Sequence, residues 1–180
     1  MSSDERVSNF ILTGGIPETY DCNKFRRGIV EAEVQGYLTE FDMLMKQIRD
    51  ATQGLNEEAA NWRPLSKDTN SIYNILCHLI GTDNSWVRQV IGGETINRNR
   101  EAEFRSSGNL SEVLDHWEKE VSANHDILRK ITSTQLGEDR TVPTRGTITV
   151  RWCILHLISH YAMHLGHVQL TRQLWEQRHR

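Results

Sequence analysis

Cysteine and proline are both scarce in this chain of 180 residues, with three of each. An odd number of cysteines (Cys22, Cys77, Cys153), none paired as CxxC, argues against a disulfide framework and predicts a reducing, cytoplasmic setting. The prolines (Pro17, Pro64, Pro143) all lie outside the periodic segments, so nothing forbids long helices. No apolar run approaches the roughly 20 residues of a membrane span. The start, MSSDERVSNFILTGG, carries an early acidic pair and a very short apolar run, and does not read as a signal peptide. A net charge of −3 gives no electrostatic case for nucleic acid. The length suits one domain with a substantial core.

What the chain does have is helical periodicity. Val30, Val34, Leu38, Phe41, Leu44/Met45 and Ile48 step by threes and fours, which predicts a helix from about Val30 to Ala51. Asn56 caps a short turn ending at Trp62-Arg-Pro64. A second helix is expected after Ser71 and reaches about Ile91, with Gly92-Gly93 as its stop. Residues 94–109 are polar and irregular. A third helix starts at Asn109 or Ser111 and runs to about Leu136, with Asn124 in a core slot as a buried hydrogen-bonding group. Residues 137–146 read as a loop or small hairpin turning at Arg145-Gly146. The fourth helix begins at Thr147 or Thr149 and extends to about Gln177. Four amphipathic segments without a convincing strand predict an all-α protein, a four-helix bundle over 30–177, with an N-terminal arm (1–29) and a short tail (178–180).

The fourth helix carries the chemistry. Its stretch CILHLISHYAMHLGH places His156, His160, His164 and His167 four, four and three residues apart. On an α-helix they share an arc of roughly 80°. The residues between them are mostly apolar, and buried imidazoles are costly unless something receives their nitrogens. A divalent metal held by histidines one turn apart is the economical receiver. The competing reading makes them ordinary polar residues on the less buried side of the helix. A third ligand must come from another helix, and His78, flanked by Leu76, Leu79 and Ile80, is the best candidate. His116 and His125 sit among charged or polar neighbours and read as surface residues; His179 lies in the tail.

SIYNILCHLIGTDNSWV and, far downstream, VRWCILHLISHYAMHLGHVQLTRQLW resemble the DinB/YfiT-like superfamily of metal-binding four-helix bundles; NEEAANWRP resembles one branch of it. The resemblance spans about residues 30–177. It implies a metal triad of His78, His160 and His164, with His167 beside the site and His156 as an outer donor or spare ligand. Three histidines leave coordination positions open, as in catalytic rather than structural zinc. The resemblance implies a thiol-dependent S-transferase, isomerase or related hydrolase. The metal expected is zinc or nickel, with iron or manganese also compatible with imidazole. Its partners are a small thiol such as mycothiol or bacillithiol, an electrophile, and a second copy in a homodimer. The alternative function is a non-catalytic metal-binding stress-response protein whose ion mainly ties helices together. No general base stands out. Asn74, Asp83 and Tyr161 are candidates by proximity alone, and core polar or capping contacts are the favoured reading for all three. Cys77 and Cys153 read as small hydrophobes. Phe10, Ile11 and Leu12 make the arm a candidate cover for exposed helix surface.

Overall fold

The computed structural model describes residues 22–178, with side chains from 32 onward; the expectations for the arm before Cys22 and for His179 lie outside the described residues. Four long helical elements form the bundle. They are α1 (Cys22–Thr52), α3 (Ile72–Asp83) continued by a π-helical segment (Asn84–Ile91), α5 (Leu110–Leu128) and α7 (Val150–Arg178). Short helices α2 (Glu57–Asn61), α4 (Arg100–Glu103) and α6 (Ser133–Leu136) lie in the connections. Helix α1 packs on α7 and α5, and α3 packs on the same two, closing a four-cornered ring.

Helix α1 starts at Cys22 rather than at Val30. Residues 22–29 have no apolar stripe to announce them, but extending an existing helix needs only one further backbone hydrogen bond per residue. Its buried positions Val34, Leu38, Phe41, Leu44 and Ile48 are those of the sequence stripe. Two contacts show that α1 and α7 run parallel. Arg151 near the start of α7 pairs with Glu33 (2.6 Å), and Arg172 near its end donates to the Ala51 and Gln53 carbonyls at 3.1 and 2.9 Å. The latter are orphan acceptors at the C-terminal end of α1.

Three local features depart from the simplest reading of the periodicity. The second helix widens to a π-helix after Asp83, which turns Trp86 against Trp152 and His156 of α7 while Val87 and Ile91 stay buried. The third stops at Leu128, and Thr132 and Gln135 form a capping box that starts α6 afresh. Residues 139–149 form a hairpin, β1 (Asp139–Val142) against β2 (Gly146–Thr149), with Gly146 at φ 73° supplying the left-handed turn. The hairpin leads straight into α7, whose first amide donates to the Glu138 carbonyl at 3.0 Å.

The centre of the bundle is aromatic and polar together. Trp117 and Tyr161 are fully buried. Trp117 Nε1 donates to the Tyr161 hydroxyl (3.2 Å), which donates to Asp83 Oδ2 (2.8 Å). Burial pushes the Asp83 carboxyl up to about 7, against the lowering effect of its hydrogen bonds from Tyr161 and Asn124. Asn124 is buried and donates to Asn84 Oδ1 at 3.1 Å. His125 is not a surface residue: it is 5% exposed and lies against the Phe41 ring at 5.6 Å. Its polar neighbours hid the fact that it falls one turn from both Val121 and Leu128.

Asp83 has a testable consequence. Unfolded, it ionises near 3.8; folded, it keeps its proton to about 7. Between those values the folded state binds more protons, so this group's contribution to stability falls as pH rises, by up to about 4 kcal/mol in all. Asp83→Asn keeps an acceptor for Tyr161 and cannot ionise. Denaturant unfolding from pH 4.5 to 8 should find the variant's stability rising relative to the parent with pH; a pH-independent difference would refute the assignment.

Candidate metal centre

The histidine stripe of α7 faces α3, and there three imidazoles converge. His78 Nε2 and His164 Nε2 each lie 3.2 Å from His160 Nε2. One ligand nitrogen from each residue can be chosen so that all lie within 4.8 Å of one another. Two nitrogens bound to one zinc at 2.0–2.1 Å are roughly 3.0–3.4 Å apart, so the observed spacing fits a shared ion. His78 and His164 are 5% and 6% exposed, and His160 is half-buried.

Burial and the neighbouring imidazoles hold these rings unprotonated. Burial lowers His78, against the opposing pull of Glu103. It brings His160 down to about 4, helped by His78 and His156, and His164 down to about 3, helped by His160 and His78. Neutral imidazole is the form that ligates metal.

The tautomers follow from the hydrogen bonds. His78 Nδ1 faces Glu103 Oε2 at 2.8 Å; a carboxylate can only accept, so Nδ1 carries the hydrogen and Nε2 keeps its lone pair for the cluster. This carboxylate–histidine pairing orients many metal-bound imidazoles. Arg98 holds Glu103 in turn, through Nε to Oε1 (2.6 Å) and Nη2 to Oε2 (2.8 Å). Phe104 lies over the His78 ring at 4.7 Å. On the other side, His164 Nδ1 meets His167 Nδ1 at 3.4 Å. With His164 Nε2 turned to the cluster, its Nδ1 hydrogen points at His167. His160 Nδ1 is buried without a hydrogen-bond partner.

Sequence reasoning missed Glu103 and Arg98, which lie in the irregular stretch 94–109. That stretch is built onto α3. Asn74 donates to Ser106 O (2.5 Å) and accepts from Arg63 (2.7 Å), and Asn61 bonds both the N–H and the carbonyl of Gly108. Gly81 is the one accessible signal: a Cβ there would stand 2.1 Å from Glu103 Oε1 and 3.0 Å from Arg98 Nε. The absent side chain is what lets the ion pair reach His78.

The remaining candidates divide cleanly. His167 and His156 flank the triad along α7, and His156 stacks on Trp152 at 4.8 Å. Arg145, from the hairpin turn, sits over the Trp86 and Trp152 rings. His116 is exposed and is not one of the clustered histidines. Asp83 and Tyr161 are sealed in the core and Asn74 in its capping network. Burial raises the Cys77 thiol and takes Cys153 up to about 11, so neither is a ready thiolate.

The fold and the histidine cluster define a class, the DinB-like helical bundles. A DinB-like protein from Bacillus cereus superposes with TM-score 0.64 at 13% identity, covering 77% of this chain and 90% of the other. A conserved protein of Enterococcus faecalis superposes with TM-score 0.62 at 15% identity, covering 78% and 95%. Within that class, the family described as mycothiol-S-transferase matches residues 37–177, and the chain belongs to it. No functionally curated protein matches the sequence.

Two sets of substitutions test the geometry. His78→Ala, His160→Ala and His164→Ala should each abolish stoichiometric metal binding while His116→Ala retains it, measured by elemental analysis of untagged protein. Glu103→Gln should leave the fold intact by circular dichroism and weaken affinity about 10–100-fold in a chelator competition. Full occupancy in His78→Ala would sink the triad.

Proposed function

We propose that this protein is a metal-dependent S-transferase joining a low-molecular-weight thiol to a small electrophile, with His78, His160 and His164 holding a divalent ion, zinc or nickel before iron or manganese. The observation that carries this reading is the convergence of three neutral imidazoles, one of them oriented by Glu103. The family's description as mycothiol-S-transferase supports the thiol chemistry. A divalent ion on three imidazoles, when bound, favours a thiolate over its thiol and leaves room for it.

The chain's own residues do the rest. Burial keeps His160 and His164 free of protons near neutral pH, so their lone pairs stay available. Glu103, clamped by Arg98, fixes the ring of His78 and its tautomer. His167 takes the outward hydrogen of His164, which leaves its own Nε2–H free to donate. In the transfer, a sulfur lone pair forms the new S–C bond, the leaving group departs with the bonding pair, and the thiol proton goes to solvent. No nucleophile from the chain is needed.

The test is to titrate mycothiol, bacillithiol, glutathione and cysteine into metal-loaded and metal-stripped protein, by calorimetry in buffers of differing ionisation enthalpy. One thiol should bind in a metal-dependent way and release close to one proton. If none binds, or one binds equally well without metal, the non-catalytic metal module becomes the better account.

A homodimer belongs to the same proposal. Leu155 and Met163 on the outer face of α7 are 48% and 49% exposed, and a Cβ on Gly166 between them and the helix end would touch nothing. Glycine inside a helix costs about 1 kcal/mol relative to alanine, and no contact among the described residues requires it there. Sedimentation velocity at micromolar concentration should give a dimer; a monomer would overturn this part.

A further inference from the structure

Beside the triad lies a groove of about 570 Å³, walled by the last third of α7 and the segment joining α2 to α3. Trp62, Leu65, Ile75, Leu170 and Leu174 line it, and His167 forms the end nearest the triad. We propose that this groove seats the electrophile, and that the electrophile is an uncharged, largely apolar molecule whose reactive end rests against His167. The inference rests on the transferase reading and names its second substrate.

Three observations carry it. The groove abuts the site, because His167 both lines it and contacts His164 at 3.4 Å. Its volume falls within the roughly 300–1,000 Å³ of small-molecule sites, too large for a leaving group alone. The lining also selects on charge. Among the described residues, Asp68 is its single charged one and no lysine or arginine lines it. The adjoining guanidinium of Arg63 is engaged by Asn74 and by the Phe104 and Thr69 carbonyls, and Arg178 lies over the Trp62 ring at 5.8 Å. An anionic substrate would therefore meet the Asp68 carboxylate and no lysine or arginine among the described lining residues, whereas apolar surface finds leucines that are otherwise exposed: Leu65 is 64% exposed and Leu170 54%.

The wall is a formed structure. Thr69 Oγ1 accepts from the Leu65 amide (3.1 Å) and donates to its carbonyl (2.9 Å), while Asp68 takes a left-handed conformation at φ 61°. Aspartate tolerates that conformation. At the far side Trp62 packs edge-on against Trp175 at 5.6 Å, so its indole is fixed before any ligand arrives.

The experiment uses the metal-loaded full chain and two probes of similar size, uncharged 1-chloro-2,4-dinitrobenzene and anionic 4-chloro-3-nitrobenzoate, with binding followed by tryptophan fluorescence without added thiol. The uncharged probe should bind saturably and at least 10-fold tighter than the anion. Leu170→Glu and Leu65→Glu change exposed side chains, so they should fold normally and keep metal affinity while weakening the uncharged probe at least 10-fold. Asp68→Asn should narrow the preference against the anion. Unchanged binding in both glutamate variants, or equal binding of the two probes, overturns the proposal. So does a Leu170→Glu variant that dissociates a dimer but binds the probe normally, which would make the face an interface between copies. Probe binding as expected in a protein that couples no thiol upholds the groove and rejects the transferase reading alone.

Discussion

Imidazole nitrogens 3.2 Å apart cannot turn lone pairs on one another; a hydrogen or a cation must stand between each pair. That constraint governs the region where α3 meets α7, since His78, His160 and His164 present their Nε2 atoms to one another. That bridge can be the hydrogen of a neutral N–H, an added proton or a metal cation. Burial disfavours the proton, bringing His160 down to about 4 and His164 to about 3. A cluster of neutral imidazoles thus resists protonation, and neutral imidazole is the form that can ligate a metal.

Much of the surrounding structure serves to hold that arrangement. Glu103 would repel no ring and attract no ligand if it were free to swing into solvent. It is held by Arg98, by the missing side chain of Gly81, and by the anchoring of its own loop through Asn74 and Asn61. The π-helical widening after Asp83 serves the other flank, carrying Trp86 to the His156–Trp152 stack. The site is thus framed by an ion pair on one side and aromatic rings on the other, each delivered by a segment without ordinary periodicity.

That division explains what could be read from the chain. The four main helices were legible because burial stamps a period on the sequence, and Val34 to Ile48 is the plainest case. The histidine stripe of α7 was legible because histidines at helical spacing on an apolar surface are chemically anomalous, while the choice of His78, His160 and His164 came from the family resemblance. Glu103 and Arg98 were not, since an ion pair in an irregular loop looks like any other pair of charges. His125 misled for the opposite reason: Asn124 and Asp126 beside it masked a position in phase with Val121 and Leu128. The π segment left no trace in the apolar stripe, because Val87 and Ile91 are buried in it and the difference lies in the backbone.

The parallel pairing of α1 and α7 also fixes a phase. Arg151 grips Glu33 at one end and Arg172 grips the last carbonyls of α1 at the other, two anchors about 30 Å apart along α7 by the rise of a helix. A helix pinned at one point can slide by a turn or roll about its axis; one pinned at both ends can do neither. The four-residue step from His160 to His164 would carry one imidazole into the place of the other under a single-turn slip, so the stripe contains its own ambiguity. The two arginines remove it, and they do so through α1, which supplies no described residue to the histidine cluster.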